Sequence, residues 1–370
     1  MRHSILFLFF FLFASPLLAN CKPDEQVGIR SYNFRIENDY FNNEDSNYTS
    51  GVILSGVTHD FKGDVKNECL PAISRLHGGL LTFIDAGLFK KQEGYSKNIY
   101  FTGSQLMYTP VDDKTPTVVK DDRPYAGILS LAVGVNERHR NKFDNTQVLD
   151  TKELTLGIIG PASFARQTQN FAHDRFDVYR AQGWNNQLSN EPAVMLLIEK
   201  KIKSDLQQNS YTPGISKDLI RFYGLKLGNI ETSLNIGLEG RYGLNIPNDF
   251  GSTPSYPGCD NTAPSSGSSE VCTDSGELML PIPLGAHLFA LAELKGVAYD
   301  FSLDGNIFAN NHHVHKEPVV GVIAIGINSL IPIPGNKNLK LTLTQYIQSK
   351  EFKEQKTADK YVSFTVGLDF

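Results

Sequence analysis

The last ten residues, Tyr361 to Phe370, restrict the possible folds more than any other stretch. Val362, Phe364, Val366, Leu368 and Phe370 alternate with Tyr361, Ser363, Thr365 and Asp369. Successive side chains of a strand point to opposite faces, so this segment carries one apolar face and one mostly polar face. A soluble sheet can cover such a face with a second layer. Lipid is more demanding, because it admits a sheet only as a closed barrel in which every backbone group is paired.

Segments of similar character recur along the chain: Ser31–Asn38, Gly51–Thr58, Asn98–Tyr108, Tyr125–Val135, Glu153–Ile159 and Pro192–Lys203, then Asp218–Leu227, Thr232–Leu244, Leu288–Tyr299, Val319–Ile331, Leu339–Ile347 and Tyr361–Phe370. These are about 12 strands, near the length that a tilted transmembrane strand needs. A soluble sandwich would show similar spacing. Strict alternation up to an aromatic Phe370 looks instead like the signal by which bacterial outer-membrane barrels are assembled. The expected fold is therefore all-β: a transmembrane antiparallel barrel of about 12 strands, with a short helix in an outer-rim loop.

The N-terminal segment reads as an address. Met1-Arg2-His3 is a basic head, Ile5 to Phe13 is an unbroken apolar run, and small residues lead to Ala19. This is the layout of a secretory signal peptide over residues 1–19, leaving residues 20–370 as one outer-membrane barrel domain. No later stretch is long and apolar enough for a spanning helix. A formal net charge of −5 argues against nucleic acid as a partner. Cys259 and Cys272 bracket a polar Ser/Gly/Pro loop, and in an exported chain they are expected to form a local disulfide.

An even strand count puts both ends of the barrel domain on the periplasmic side, so odd-to-even connections lie outside. Three polar segments fall in such connections. The first is Glu37-Asn38-Asp39-Tyr40-Phe41 with Asn47-Tyr48-Thr49-Ser50-Gly51. The second is Tyr108-Thr109-Pro110 running to Asp121-Asp122-Arg123-Pro124-Tyr125-Ala126-Gly127. The third runs from Ile159-Gly160-Pro161-Ala162-Ser163 through Gln169 and His173 to Gly183-Trp184 and Asn190-Glu191-Pro192. All three are expected at the same outer rim.

Within the third segment, Arg166 to Tyr179 reads as a short helix, with Phe171, Phe176 and Tyr179 available for packing. Gln169 and His173 are four apart and so project from one face. A histidine can take a proton from water near neutral pH, and a neighbouring amide can fix its tautomer or hold substrate. Asp39 is a hard oxygen ligand suited to calcium, with neutral oxygens from Asn38 and Thr49. Each feature has a plain structural reading too. A helical His is more often structural than catalytic, and Asn-Asp at a strand end is usually a turn. Asp122 and Arg123 read as an ion pair inside the barrel, and the histidines of Asn311–His315 as part of a surface loop.

Together and in this order, the END…YTSG, YTP…DDRPYAG, IGPAS…QTQNFAH and GWNNQLSNEP segments resemble the lipid A 3'-O-deacylase family of outer-membrane barrels. The resemblance implies a 12-stranded barrel, calcium dependence and removal of the 3'-acyloxyacyl chain of lipid A; lipopolysaccharide is the expected partner and a monomer the expected form. By motif it makes His173 the general base that activates water. It places Asn38, Asp39 and Thr49 along the site, with Asp39 near the calcium, and Gln169 beside His173. Lys114 matches a basic substrate-binding residue of the family. The family carboxylate that follows the His has no clean match here, because Tyr179 stands about where it is expected. An outer-membrane phospholipase-type acyl hydrolase and a non-enzymatic porin or adhesin are the alternative readings. Residues 61–97 and 245–284 form long connections that parity assigns to the periplasmic side, the first with a helical stretch at Leu80–Phe89.

Overall fold

The structure is a computed structural model that describes residues 27–39, 47–62, 69, 96–141, 146–204, 214–252, 284–335 and 337–370. The signal segment, the helical reading of Leu80–Phe89 and the Cys259–Cys272 bridge lie outside the described residues. Cys69 is buried and disulfide-bonded.

Twelve long strands form the wall: β1 (Ile29–Asn38), β2 (Asn47–Thr58), β3 (Ser96–Thr109), β4 (Ala126–Arg140), β5 (Gln147–Ile159), β6 (Glu191–Ser204), β7 (Ile215–Gly228), β8 (Glu231–Leu244), β9 (Gly285–Asp300), β10 (Val319–Ile333), β11 (Lys337–Gln348) and β12 (Asp359–Asp369). Each pairs antiparallel with its neighbours in sequence, and β1 pairs with β12 from Ser31↔Asp369 to Asn38↔Val362. The sheet is thus a closed 12-stranded barrel without a free edge. Phe61–Lys62 adds a two-residue pairing beside β3.

Every strand expected from alternation is present, and most are longer than expected. The segment read as Leu288–Tyr299 runs from Gly285 to Asp300, 16 residues. The reason is physical: apolar alternation marks only the part of a strand that meets lipid, whereas ladder hydrogen bonds continue into polar ends.

The barrel is inverted relative to a soluble protein. Along β8, Leu234, Ile236, Leu238 and Tyr242 are exposed, while Ser233, Asn235, Glu239 and Arg241 are buried. On β12, Phe364 faces outward and Tyr361 and Ser363 face inward. Several charges inside the wall are paired, as Lys226 is with Glu231 at 2.8 Å, since an uncompensated charge shielded from water is costly. Phe370 ties the seam: its N–H donates to Arg30 O, its ring meets Tyr32 edge-on, and Lys337 Nζ lies 4.9 Å from its centroid.

β1 starts and β12 finishes at one end of the barrel. The β1–β2, β3–β4 and β5–β6 connections lie together at the other, which also carries helix α1 (Ala165–Phe176) and a single helical turn α2 (Phe301–Asp304). We refer to this as the helix end. At the opposite end, residues 248–252 turn back onto inward-facing side chains of the wall, with Phe250 fully buried against Leu149.

Candidate functional site at the helix end

Two close approaches set the position of α1. Gly160 leaves β5 with φ 94°, and a Cβ there would lie 2.4 Å from Ser189 O, so only glycine fits the turn. A Cβ on Gly127 would come within 2.3 Å of the Ala165 methyl, so glycine lets the helix start sit directly on β4. These contacts explain why the PYAG and IGPAS segments carry glycine where they do.

Ala165 and Gln169 form the buried side of α1. Gln169 Oε1 accepts from Trp184 Nε1 at 2.5 Å, and the fully buried indole packs on Tyr125 with Met107 and Ala181. Gln169 therefore lies beneath the helix. His173, one turn later, is only partly buried, so equal spacing does not give the two side chains equal surroundings. Phe171, Phe176 and Tyr179, expected to pack, are 69%, 76% and 45% exposed. The side of α1 that is held is the narrow Ala165/Gln169 stripe, which leaves these aromatics facing outward.

The helix stops at Asp177, whose left-handed backbone returns the chain toward His173. Tyr179 O then lies 2.5 Å from His173 Nδ1. A carbonyl can only accept, so Nδ1 carries the hydrogen, and the neutral imidazole would hold its lone pair on Nε2. The Tyr179 ring is 6.5 Å from the imidazole, and Lys114 Nζ lies 5.3 Å from the tyrosine centroid. Asp113 is buried, and its backbone carbonyl accepts from Gln182 N and the Tyr125 hydroxyl. Burial pushes the Asp113 carboxyl above its ordinary range, against the opposing pull of Tyr179, Lys114 and His173.

The strand ends of β1 and β2 bring a second group together. Asn38 Nδ2 and Asp39 N both donate to Thr49 O, at 3.2 and 3.4 Å. Asp39 is fully buried, and Thr49 Oγ1 is 2.6 Å from Thr109 Oγ1 at the end of β3. The β3–β4 connection links the two groups, because Thr109 opens it and Asp113 and Lys114 follow. Asn38, Asp39, Thr49, Lys114, Gln169 and His173 are thus all at the helix end.

The oxygens of Asp39, Asn38 and Thr49 are hard donors of the kind calcium takes, and in donor type they fit that ion. Asp39 supplies the carboxylate. Among the described residues no cluster of three or more His, Cys, Asp and Glu side chains forms a metal site. The histidines of Asn311–His315 diverge accordingly: His312 bonds Asp122 O, His313 bonds Asn311 O and His315 bonds Glu354.

Asp122 and Arg123 are not a side-chain pair with each other. Asp122 accepts from the backbone N–H groups of Val111 and Arg123, which shapes the connection. Arg123 reaches across the interior to Glu351 at 2.5 Å, beside the rings of Tyr108 and Phe352. Sequence reading passed over Glu351, which lies on a distant connection. A small cavity in the interior is lined by Tyr48, Ser104, Glu153, Glu231, Asp300 and Glu351. His173, Lys114 and Asp113 do not line it.

A family model described as "Outer membrane protein LpxR" matches residues 6–370. The chain belongs to the LpxR family. This is the lipid A 3'-O-deacylase family that its loop motifs resemble, and it places the chain in the outer membrane among lipid A-modifying proteins. LpxR from Salmonella typhimurium is similar in structure, with a TM-score of 0.63 and 17% sequence identity, over 92% of this chain and 100% of that one. The beta domain of the Bordetella autotransporter BrkA is a looser likeness, with a TM-score of 0.38 and 8% identity, over 93% of this chain and 99% of that one. The translocator domain of NalP from Neisseria meningitidis reaches a TM-score of 0.31 at 10% identity, over 92% and 86%. No curated protein matches this chain in sequence. LpxR membership agrees with the lipid-facing belt and the closed wall described above.

Proposed function

We propose that this LpxR family member is a carboxylic-ester hydrolase that removes the 3'-acyloxyacyl chain of lipid A, with its helix end facing the outer leaflet. The observation that carries the reading is the His173 imidazole, held at Nδ1 by Tyr179 O and placed at the rim, where a lipid headgroup can reach it. His173 Nε2 takes a proton from water as the water oxygen bonds to the ester carbonyl carbon. The tetrahedral adduct then breaks its bond to the sugar oxygen, which receives the proton from the imidazolium. The products are a free acid and a 3'-hydroxyl.

Lys114 offers a cation to a phosphate or to the developing oxyanion. Gln169, clamped by Trp184, holds the helix under His173. Asp39, Asn38 and Thr49 are the residues that would hold calcium. A bound calcium ion supplies Lewis-acid polarisation of the ester carbonyl.

Mass spectrometry of lipid A and phospholipids from cells producing the protein or its His173→Ala variant tests the proposal. Loss of one acyloxyacyl unit with the intact protein alone is the expected result. Cleaved phospholipid with unchanged lipid A would replace this reading by a phospholipase, and unchanged lipids with ion conductance by a porin.

A further inference from the structure

We infer that Lys350, Lys353 and Lys356, on the connection between β11 and β12, form a cationic docking surface for the phosphate-bearing saccharide head of lipopolysaccharide. The inference rests on the outward orientation given to the helix end under the proposed function, and not on the reaction itself. In sequence, Lys350 to Asp359 carries three lysines and three acids, Glu351, Glu354 and Asp359, and is formally neutral. Folding separates the two signs. Glu351 is buried and bonds Arg123 across the interior. Asp359 is fully buried and accepts from Tyr48 N, and Glu354 is half-buried, 2.8 Å from His315 Nδ1. All three lysines are exposed, and among the described residues none of them is ion-paired.

The backbone that carries these lysines is fixed. Ser349 N donates to Gly321 O, Glu317 N to Glu351 O and Lys353 N to His315 O, at 2.8, 2.7 and 2.9 Å. Glu351 N donates to Gln355 Oε1 at 2.6 Å, and Phe352 is buried against Leu303 and Val314. A docking anion therefore meets an ordered loop and immobilises little besides the lysine side chains, which keeps the entropic cost of binding small. The whole chain has a net charge of −5, so a positive surface at this place is a local product of the fold.

Position on the barrel selects the occupant. Leu343 and Ile347 are exposed on the outward face of β11, and so is Ile323, the partner of Ile347 on β10. Lys350 follows Ile347 by three residues, so it stands within about 10 Å of the lipid-facing belt. That is headgroup depth, where exposed lysines meet lipid phosphate. In the outer leaflet the lipid that presents phosphate on a saccharide is lipopolysaccharide. Neighbouring charges do not cancel the patch: Lys316 is paired with Asp304 at 2.8 Å, Glu317 is half-buried, and Lys360 is exposed on β12.

The test titrates the full-length protein in detergent micelles with fluorescently labelled lipopolysaccharide and reads the anisotropy. Its counterpart carries Lys350→Gln, Lys353→Gln and Lys356→Gln together, with thermal unfolding followed to confirm that both barrels are folded. The triple variant is expected to bind about 10- to 100-fold more weakly at low salt. The gap should close toward about 1 M salt, and replacing the same three lysines by arginine should preserve the affinity. Lipopolysaccharide stripped of its phosphates should bind both proteins alike. Equal affinity of the two proteins for intact lipopolysaccharide, or a gap that survives removal of the phosphates, would overturn the inference. Full displacement by millimolar inorganic phosphate would also overturn it, in favour of a site for free anions. Acid release from lipid A is recorded in parallel. Phosphate-dependent binding by a protein that releases no acid would refute the proposed reaction and leave the docking surface standing, whereas acid release with equal binding by both proteins would do the reverse.

Discussion

The two ends of the barrel are held in different ways. At the end opposite the helix, residues 248–252 are anchored many times over. Arg241 bonds both Asp218 and Asp249, Lys203 bonds Asn248 and Asp249 O, and Arg138 bonds Asn248 O beside the Phe250 ring. Ser252 bonds Glu239 through its N–H and His287 through its hydroxyl. At the helix end the bonds are spread over several loops: Trp184 clamps Gln169, Gln105 holds Ser163 O, Asn186 holds Pro116 O, and Tyr179 O meets His173. Redundant anchoring suits a mouth that must stay covered. Under the proposed function, single bonds spread over separate loops suit a rim that admits a lipid and still fixes one imidazole.

That contrast yields graded expectations. His173→Ala should reduce deacylation by about 10²- to 10⁴-fold with an unchanged unfolding transition, read from lipid A mass spectra and thermal melts. A collapsed barrel in that variant would make the helix end a stability element, contrary to the comparison. Asp39→Asn, or chelation of calcium, should produce a loss of similar order, which added calcium restores only in the chelated protein. Retained activity in both would remove the metal from the scheme.

Arg241→Ala should act in the opposite sense. It leaves Asp218 and Asp249 buried without their principal cation, so denaturant unfolding should show a loss of about 3–5 kcal/mol with kcat little changed. Trp184→Phe should cost about 1–3 kcal/mol by leaving the Gln169 carbonyl buried without its donor, together with a modest fall in rate. The smallest effect is expected from acid. Burial raises the Asp249 carboxyl, but Arg241 outweighs it and holds the group down at about 2. Its folded value is below its unfolded one, so its contribution is complete above the ordinary carboxylate range and fades as pH falls from about 4 toward 2. Melts in that window should show a shallower acid dependence in Asp249→Asn.

Much of this was legible in the sequence. Alternation located all twelve strands, because a lipid-facing residue every second position leaves a strong periodic trace. Counting strands then grouped Asn38, Asp39, Thr49, Lys114, Gln169 and His173 at one end without any coordinates. The ends of strands were less legible, since their polar residues pair through backbone alone. The burial of Asp113 was missed because it sits in a connection with no periodicity. Arg123 with Glu351 escaped for the same reason. Helical spacing put Gln169 and His173 on one face, yet it could not foresee that Trp184 would cover the first of them.

The closure of the wall has a consequence for when this chain becomes competent. Asn38 and Asp39 lie at the tip of β1, and β1 is flanked on one side by β12, with Asn38 opposite Val362. Until that seam zips, one flank of the strand bearing the calcium candidates has no neighbour. With the seam open, Asp39 follows a strand paired only with β2. Under the proposed function, closing the wall and completing the site would then be a single step.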